Sequence, residues 1–305
     1  MNIKNILKPL QILLFALPFA TLANDENTGI STEQEKYIAW ANQLWSSIER
    51  QTGTINLTDA AATLNITDDF YYLSSADAEK VLVEVWGNPP GQDTLGMIMP
   101  VNLTPFDPES WAVTIQYEED GYVSDEDADD IDYTELLTQM KEDTQAASQQ
   151  RLNEGYPAIK LLGWASPPYY DKTTHKLHWA KELKVGENEQ NTLNYNIRIL
   201  GRKGVLVLNF IAGIDQQTVI EEKLNSVLAM AEFEQGSHYS DFNPDIDDVA
   251  AYGLGALVAG KVIAKTGLIA VAIVFLKKFG VFLLIGLGMF FKRFFKRKTT
   301  TPAES

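Results

Sequence analysis

Seven carboxylates fall within the eleven positions from Asp125 to Glu135, inside "GYVSDEDADDIDYTELL", residues 121–137. Alternating oxygen ligands are what a calcium loop supplies, and Asp125, Asp127 and Asp129 stand where the first, third and fifth ligands of an EF-hand loop would. Such a loop needs glycine at its sixth position and a bidentate glutamate at its twelfth, and here these are Asp130 and Leu136. Asp132 and Glu135 have instead the Asp-x-x-Glu spacing of a helix start, where carboxylates meet free amide donors and the positive end of the helix dipole. The run is read first as a capped helix start, with a loose calcium or magnesium site at Asp125, Asp127 and Asp129, or a catalytic carboxylate pair, as alternatives. No other cofactor is expected.

The second constellation lies on two alternating segments, "HKLHWAKELKV" at 175–185 and "TLNYNIRIL" at 192–200. Leu177, Trp179, Leu183 and Val185 alternate with polar residues in the first, as do Leu193, Tyr195, Ile197 and Ile199 in the second, which predicts an antiparallel hairpin with one buried face. With the turn near Glu189, His178 or Ala180 would lie across from Arg198, and Glu182 across from Asn194 or Asn196. That polar face is either a cross-strand ladder or one wall of a groove beside Trp164, Tyr169, Tyr170 and Asp171. In the groove reading, Arg198 and Arg202 contact an anion, Tyr170 is a wall, and Trp164, Asp171 and His178 complete the lining. His175 and His178 are three apart on a strand and point to opposite faces, so they do not chelate one ion. No nucleophile elbow, phosphate loop or His-Glu-x-x-His pattern occurs.

The elements around these residues are legible from period and punctuation. Residues 32–50 open with a capping-box pattern, Thr32 to Glu35, and stripe Tyr37, Ala41, Leu44, Trp45 and Ile48 along one helical face. Residues 53–66 resemble a short hairpin, Ser74 and Asp77 begin a helix, and "WGNPPG" at 86–91 forces a turn. "WAVTIQY" at 111–117 is a strand, 133–153 a helix, "AIKLLGW" at 158–164 a strand and "SPPYYD" at 166–171 the loop after it. "VLVLNFI" at 205–211 has the unbroken apolar run of a strand covered on both faces, and a last helix starts at Asp215, burying Ile220, Leu224, Val227, Leu228 and Ala231. This order predicts an α+β fold, a mainly antiparallel sheet with packed helices, to which a C-terminal transmembrane helix is added.

That last element comes from the chain's ends. Residues 1–23 have the order of an export signal, with Lys4 and Lys8 before an apolar stretch and "TLA" before Asn24. With no cysteine, an exported chain has neither disulfides nor a thiolate site. Residues 24–235 are read as the exported acidic domain, 236–265 as a connector, 266–291 as the membrane segment and 292–305 as a basic cytoplasmic tail. The membrane segment carries Lys277 and Lys278. A single span places the basic tail inside, and a hairpin whose first helix is 250–276 is the alternative. From Asn24 to Ala250 there are 40 acidic and 14 basic residues, a net of −26, which argues against nucleic acid as a partner. The expected location is the bacterial inner membrane, with the main domain in the periplasm facing an envelope protein or a small ligand.

Several phrases, "WGNPP", "EDGYVSDEDA", "GWASPPYYD", "KLHWAKEL", "LNYNIRILGRKGVLVLN" and "DFNPDIDDVAAYGLGALVAG", together resemble domain-of-unknown-function family 2167, bacterial membrane-anchored proteins with an exported domain. The likeness runs from about Gly53 to Gly260. It implies an envelope protein with a signal peptide and an anchor, and it implies no reaction, cofactor or catalytic residue. The element order is also similar to that of PsbP-type α/β/α sandwiches. The function expected is an interaction or ligand-binding module without enzymatic activity. An envelope hydrolase using a carboxylate cluster or carboxylate-bound metal is the alternative.

Overall fold

The computed structural model describes residues 31–260. In chain order the elements are α1 (Thr32–Ser46), β1 (Gly53–Leu57), β2 (Ala62–Ile66), β3 (Phe70–Ser74), α2 (Ser75–Lys80), β4 (Gly96–Pro100), β5 (Ala112–Glu118) and α3 (Tyr133–Asn153). They continue with β6 (Ile159–Asp171), β7 (Lys176–Val185), β8 (Thr192–Leu200), β9 (Val205–Gly213), α4 (Gln217–Met230), β10 (Ala231–Phe233) and α5 (Leu254–Ala259). Seven strands form one antiparallel sheet in the order β3-β4-β5-β9-β8-β7-β6, and β1, β2 and β10 form a second of three strands.

The large sheet is covered on both sides. One face, through Trp111, Val113, Ile115, Tyr195, Ile197, Leu208 and Phe210, packs on the small sheet and on Ile220, Val227 and Met230 of α4. The other face is covered by helices in two separate patches. Leu44 and Ile48, from α1 and the turn after it, and Ala78, Val81, Leu82 and Trp86, from α2 and its extension, sit over β3 and β4. Leu136 and Met140 of α3 and Leu254, Leu257 and Val258 of α5 sit over β6 and β7. An α+β fold with antiparallel sheets and packed helices is what these elements build.

The predicted transmembrane element is corrected: among the described residues no helix is long and apolar enough to cross a membrane. The segment 266–291, the signal stretch 1–23 and the tail 292–305 lie outside the described residues. Residues 236–260, read from the sequence as part of a connector, are packed onto the sheet. The Gly201–His238 and Tyr122–Val249 bridges hold them, and Tyr239, Leu254, Leu257 and Val258 are buried.

Two further differences bear on the site. Residues 166–171 are not a loop but the second half of β6, which continues through Pro167 and Pro168 with register shifts between Leu161 and Tyr169. β6 is an edge strand, and there a missing N–H costs no ladder bond. The β7–β8 hairpin pairs Leu177 with Arg198, Trp179 with Asn196 and Lys181 with Asn194. This is an odd register where the expected pairing was even, and because side chains alternate, the two apolar sets lie on opposite faces. Trp179 and Leu183 face the helices, Tyr195 and Ile197 face the small sheet, and every residue of β8 is buried.

Candidate functional site

The acidic run divides into carboxylates with separate partners. Asp132 caps α3, accepting from the amides of Thr134 and Glu135 at 2.9 and 3.1 Å. Asp127 accepts from the amides of Leu254 and Gly255 at 3.1 and 3.4 Å and so fastens the first turn of α5. Asp129 meets Lys172 at 2.6 Å in an exposed ion pair. Asp125 accepts from the Tyr170 hydroxyl at 2.8 Å, and that hydroxyl is also 3.2 Å from Nδ1 of His175. The three residues considered for calcium thus point to three different places, and no group of three or more His, Cys, Asp or Glu among the described residues could hold a metal ion.

Around Asp125 the aromatic rings stack. Tyr239 lies 4.2 Å from the His175 ring and 4.5 Å from Tyr122, which in turn stacks on Phe242 at 3.8 Å. Burial and the Asp125 carboxylate push the Tyr170 phenol far up, so it remains a donor at any physiological pH.

The six residues expected to line one groove are dispersed. Trp164 is paired with Lys181 and Tyr170 with Leu177, so both lie on the helix-covered face, as does Arg198. Arg202 sits in the β8–β9 turn and holds Asp247 through two nitrogens, Nε at 2.7 Å and Nη2 at 3.1 Å. Asp171 and His178 lie on the other face, and these two line a common cleft. The odd hairpin register parts Arg198 from His178, and the pairing of 166–171 as strand puts the neighbours Tyr170 and Asp171 on opposite faces.

That cleft has a volume of about 660 Å³ and opens between the second half of β6, the start of β7 and the last turns of α4. The floor is Tyr195 on β8, one side carries His178 and Lys176 of β7, and Asn225, Leu228 and Ala229 of α4 form the other. Ser166, Pro167 and Tyr169 of β6 make the rim, with the Tyr169 ring 6.4 Å from that of His178 and largely exposed. The register shifts of β6 and its two prolines bend the strand at this point. Asp171 is engaged locally, accepting from the Thr173 amide at 2.8 Å and the Thr174 hydroxyl at 2.7 Å, and the Thr174 bond leads in holding its carboxyl below the usual range. Burial leads in depressing the basicity of His178, and Lys176 adds to it, so the imidazole is neutral at pH 7 and offers one donor and one acceptor.

A different set occupies the centre of the helix-covered face, between the two apolar patches. Lys181 of β7, Asn194, Asn196 and Arg198 of β8, Asn209 of β9 and Thr114 of β5 are all at most 9% exposed. Arg198 lies 4.9 Å over the Trp179 ring and donates from Nη1 to Asn209 Oδ1 at 3.3 Å. Asn196 donates to the Asn194 carbonyl at 2.8 Å. Burial, and after it the Arg198 guanidinium, pull the Lys181 amine down to about 7.

Arg198, Asn194 and Asn196 of this strip were expected on the polar face of the hairpin, but Lys181, Asn209 and Thr114 beside them were not foreseen. One signal was present, because Lys181 stands in phase with Leu177, Trp179, Leu183 and Val185, a cation in the middle of an apolar row. Tyr195, Asn225, Leu228 and Ala229 of the cleft gave no such signal, since only the tertiary fold brings α4 against β7.

A family profile matches residues 49–288, most of the chain. The chain belongs to that family, "Protein of unknown function (DUF2167)". No curated protein sequence matches this DUF2167 member. Among solved structures, the cyanobacterial PsbP (CyanoP) from Synechocystis sp. PCC 6803 is similar at a TM-score of 0.35 and 13% identity, covering 61% of this chain and 92% of that one. The Saccharomyces cerevisiae Ran-binding protein Mog1p is similar at a TM-score of 0.30 and 11% identity, covering 64% of this chain and all of that one. LpqN of Mycobacterium tuberculosis, a protein involved in cell envelope biogenesis, gives 0.28 and 14%, covering 63% and 94%.

Proposed function

We propose that this DUF2167 protein is an exported, non-enzymatic ligand-binding module of the cell envelope, and that it holds a small ligand or peptide segment in the cleft between β6–β7 and α4. The observation that carries this reading is the cleft itself. It is open, large enough for a drug-sized molecule, and lined by two tyrosines, aliphatic side chains and hydrogen-bonding groups, with Asp171 and Lys176 as its charged members. The signal-like order of residues 1–23 supports export, and the excess of carboxylates over the whole domain disfavours a polyanion as ligand.

Strand addition is disfavoured at the neighbouring edge. Pro167 and Pro168 remove donors from β6, and Ser148 of α3 takes the Ile159 amide at its start. Recognition in the cleft therefore rests on side chains, with Tyr169 as an exposed ring for stacking and Asn225 and His178 as neutral polar contacts.

The test is a thermal-shift screen of the full-length chain against short peptides and saccharides, repeated on Ala229→Trp, which fills the cleft from α4, and on Tyr169→Ala. Ligands bound as proposed raise the melting temperature of the native chain and lose that effect in both variants. Hits unaffected by either substitution would overturn the cleft as the site. Chemical turnover of a hit would move the protein to the hydrolase class.

A further inference from the structure

We propose that the buried polar strip on the helix-covered face is a second site, which takes a small carboxylate anion on Lys181, Arg198 and Asn194. It is independent of the cleft, since the large sheet separates the two.

The argument begins with which groups share this part of the face. Lys181 is directly across from Asn194; Trp179, Asn196, Asn209 and Thr114 form the next row across four strands; and Arg198, between Leu177 and Val207, lies in the row after that. Directly opposed residues on one face have Cβ atoms about 5 Å apart. Arg198 does not stay in its own row. It leans over Trp179 and reaches Asn209, toward Lys181 and Asn194.

The hydrogen-bonding inventory is one-sided. Nε of Arg198, Nδ2 of Asn194, Nε1 of Trp179 and the Thr114 hydroxyl are all buried without a partner. Lys181 is 5% exposed, and the charged group acting on its amine is Arg198, a second cation. The carboxylate that acts on Arg198 is Glu118, at the far end of β5 across from Val205, and the other titratable neighbour is Tyr252, whose hydroxyl donates to Asp120. Lys181 and Arg198 flank the Trp179–Asn196 row on this face, and a buried cation costs several kcal/mol unless an acceptor compensates it. What fits is an acceptor with one negative charge.

A carboxylate matches more closely than phosphate. Glu118 offsets part of the Arg198 charge, so a dianion would leave an excess of negative charge in a buried place. The free edge of Arg198 and the Asn194 amide are planar donors suited to a planar pair of oxygens. On either side along the same face lie Trp164 and Ile211, which suit the short apolar body of an organic acid.

The test uses the full-length chain at pH 7.5 and constant ionic strength, with sodium acetate and sodium propionate as probes and chloride and phosphate as controls. Acetate or propionate at a hundredfold excess over its Kd should raise the melting temperature by roughly 5–10 °C, following the linkage and size scaling of a domain this large. Lys181→Met should lose the shift, whereas Tyr169→Ala in the cleft should keep it. Because a core substitution can alter folding, the native chain carries a second readout. NMR titration of the lysine side chains should show the Lys181 amine regaining basicity, by at least one pH unit, when acetate is added. Equal shifts in native and Lys181→Met chains, or an unmoved Lys181 titration, would make the strip a structural polar layer. A shift produced by phosphate in place of acetate would overturn the assignment to a carboxylate.

Discussion

Replacing Lys181 by methionine should make the domain more stable, and the size of the effect follows from where the amine sits. Its basicity falls from 10.5 to about 7, chiefly through burial. At about 1.4 kcal/mol per pH unit this difference corresponds to a ceiling of about 5 kcal/mol between the charged amine in water and in the fold. Relaxation reduces that figure, and exchanges of buried charges for apolar groups of similar volume stabilise by about 1–4 kcal/mol. The sign with pH is fixed by linkage. Between about pH 7 and 10.5 the unfolded chain binds the proton and the folded chain releases it, so native stability climbs with pH through that window, and the cost of the charge is full below it.

Differential scanning calorimetry of both full-length chains in chloride buffer tests this reasoning. A gain of about 2 kcal/mol at pH 6.5 would raise the melting temperature by roughly 4–8 °C, and the two chains should converge toward pH 9.5. Equal or lower stability of Lys181→Met at pH 6.5 would refute it, as would parallel profiles between pH 7 and 9.5.

Three further outcomes concern two positive-φ glycines and the capping of α5. Gly121 has φ +88 and a Cβ there would come within 2.7 Å of the Asp248 carbonyl, whereas Gly155 has φ +86 and nothing within 4 Å; thermal denaturation should show Gly155→Ala costing about 1 kcal/mol and Gly121→Ala clearly more. Asp127→Ala should cost about 1 kcal/mol by uncapping α5. Gly253→Ala should cost at least as much, because its Cβ would collide with the Asp127 carboxylate, and in a double-mutant cycle that cost should largely vanish once Asp127 is already alanine.

Most elements were legible because their periods are strong. The helix at 133–153 has its cap at Asp132, and the order of strand, helix, four strands and helix holds from residue 112 to 230, with β10 and α5 after it not read from the pattern. β3, "FYYLS", and β4, "GMIMP", were not read as strands, being five residues long and buried without alternation. The α1 capping box is one residue earlier than read, at Ser31 and Gln34. The parity of the β7–β8 register could not be taken from the pattern, because it is fixed by the 186–191 connection and by what covers each face. Both parities bury an alternating apolar row, and only an interior on both sides of the sheet tolerates the odd one. That parity separated Arg198 from His178 and brought Lys181 beside Asn194. The surplus acids of the 125–129 run acquire their partners from residues 170–175 and 254–255, which no local pattern connects to them.

The segment that follows β10 is fastened to the sheet at successive points: Gly201 with His238, Arg202 with Asp247, Tyr122 with Val249, and Asp127 with the start of α5. A tensile load applied at residue 260 would reach these ties one after another from the C-terminal side. Each would part before any strand of the seven-stranded sheet is strained. The domain thus has a mechanical fuse in series with its core, and single-molecule pulling from that end should show small early steps of release before the main rupture.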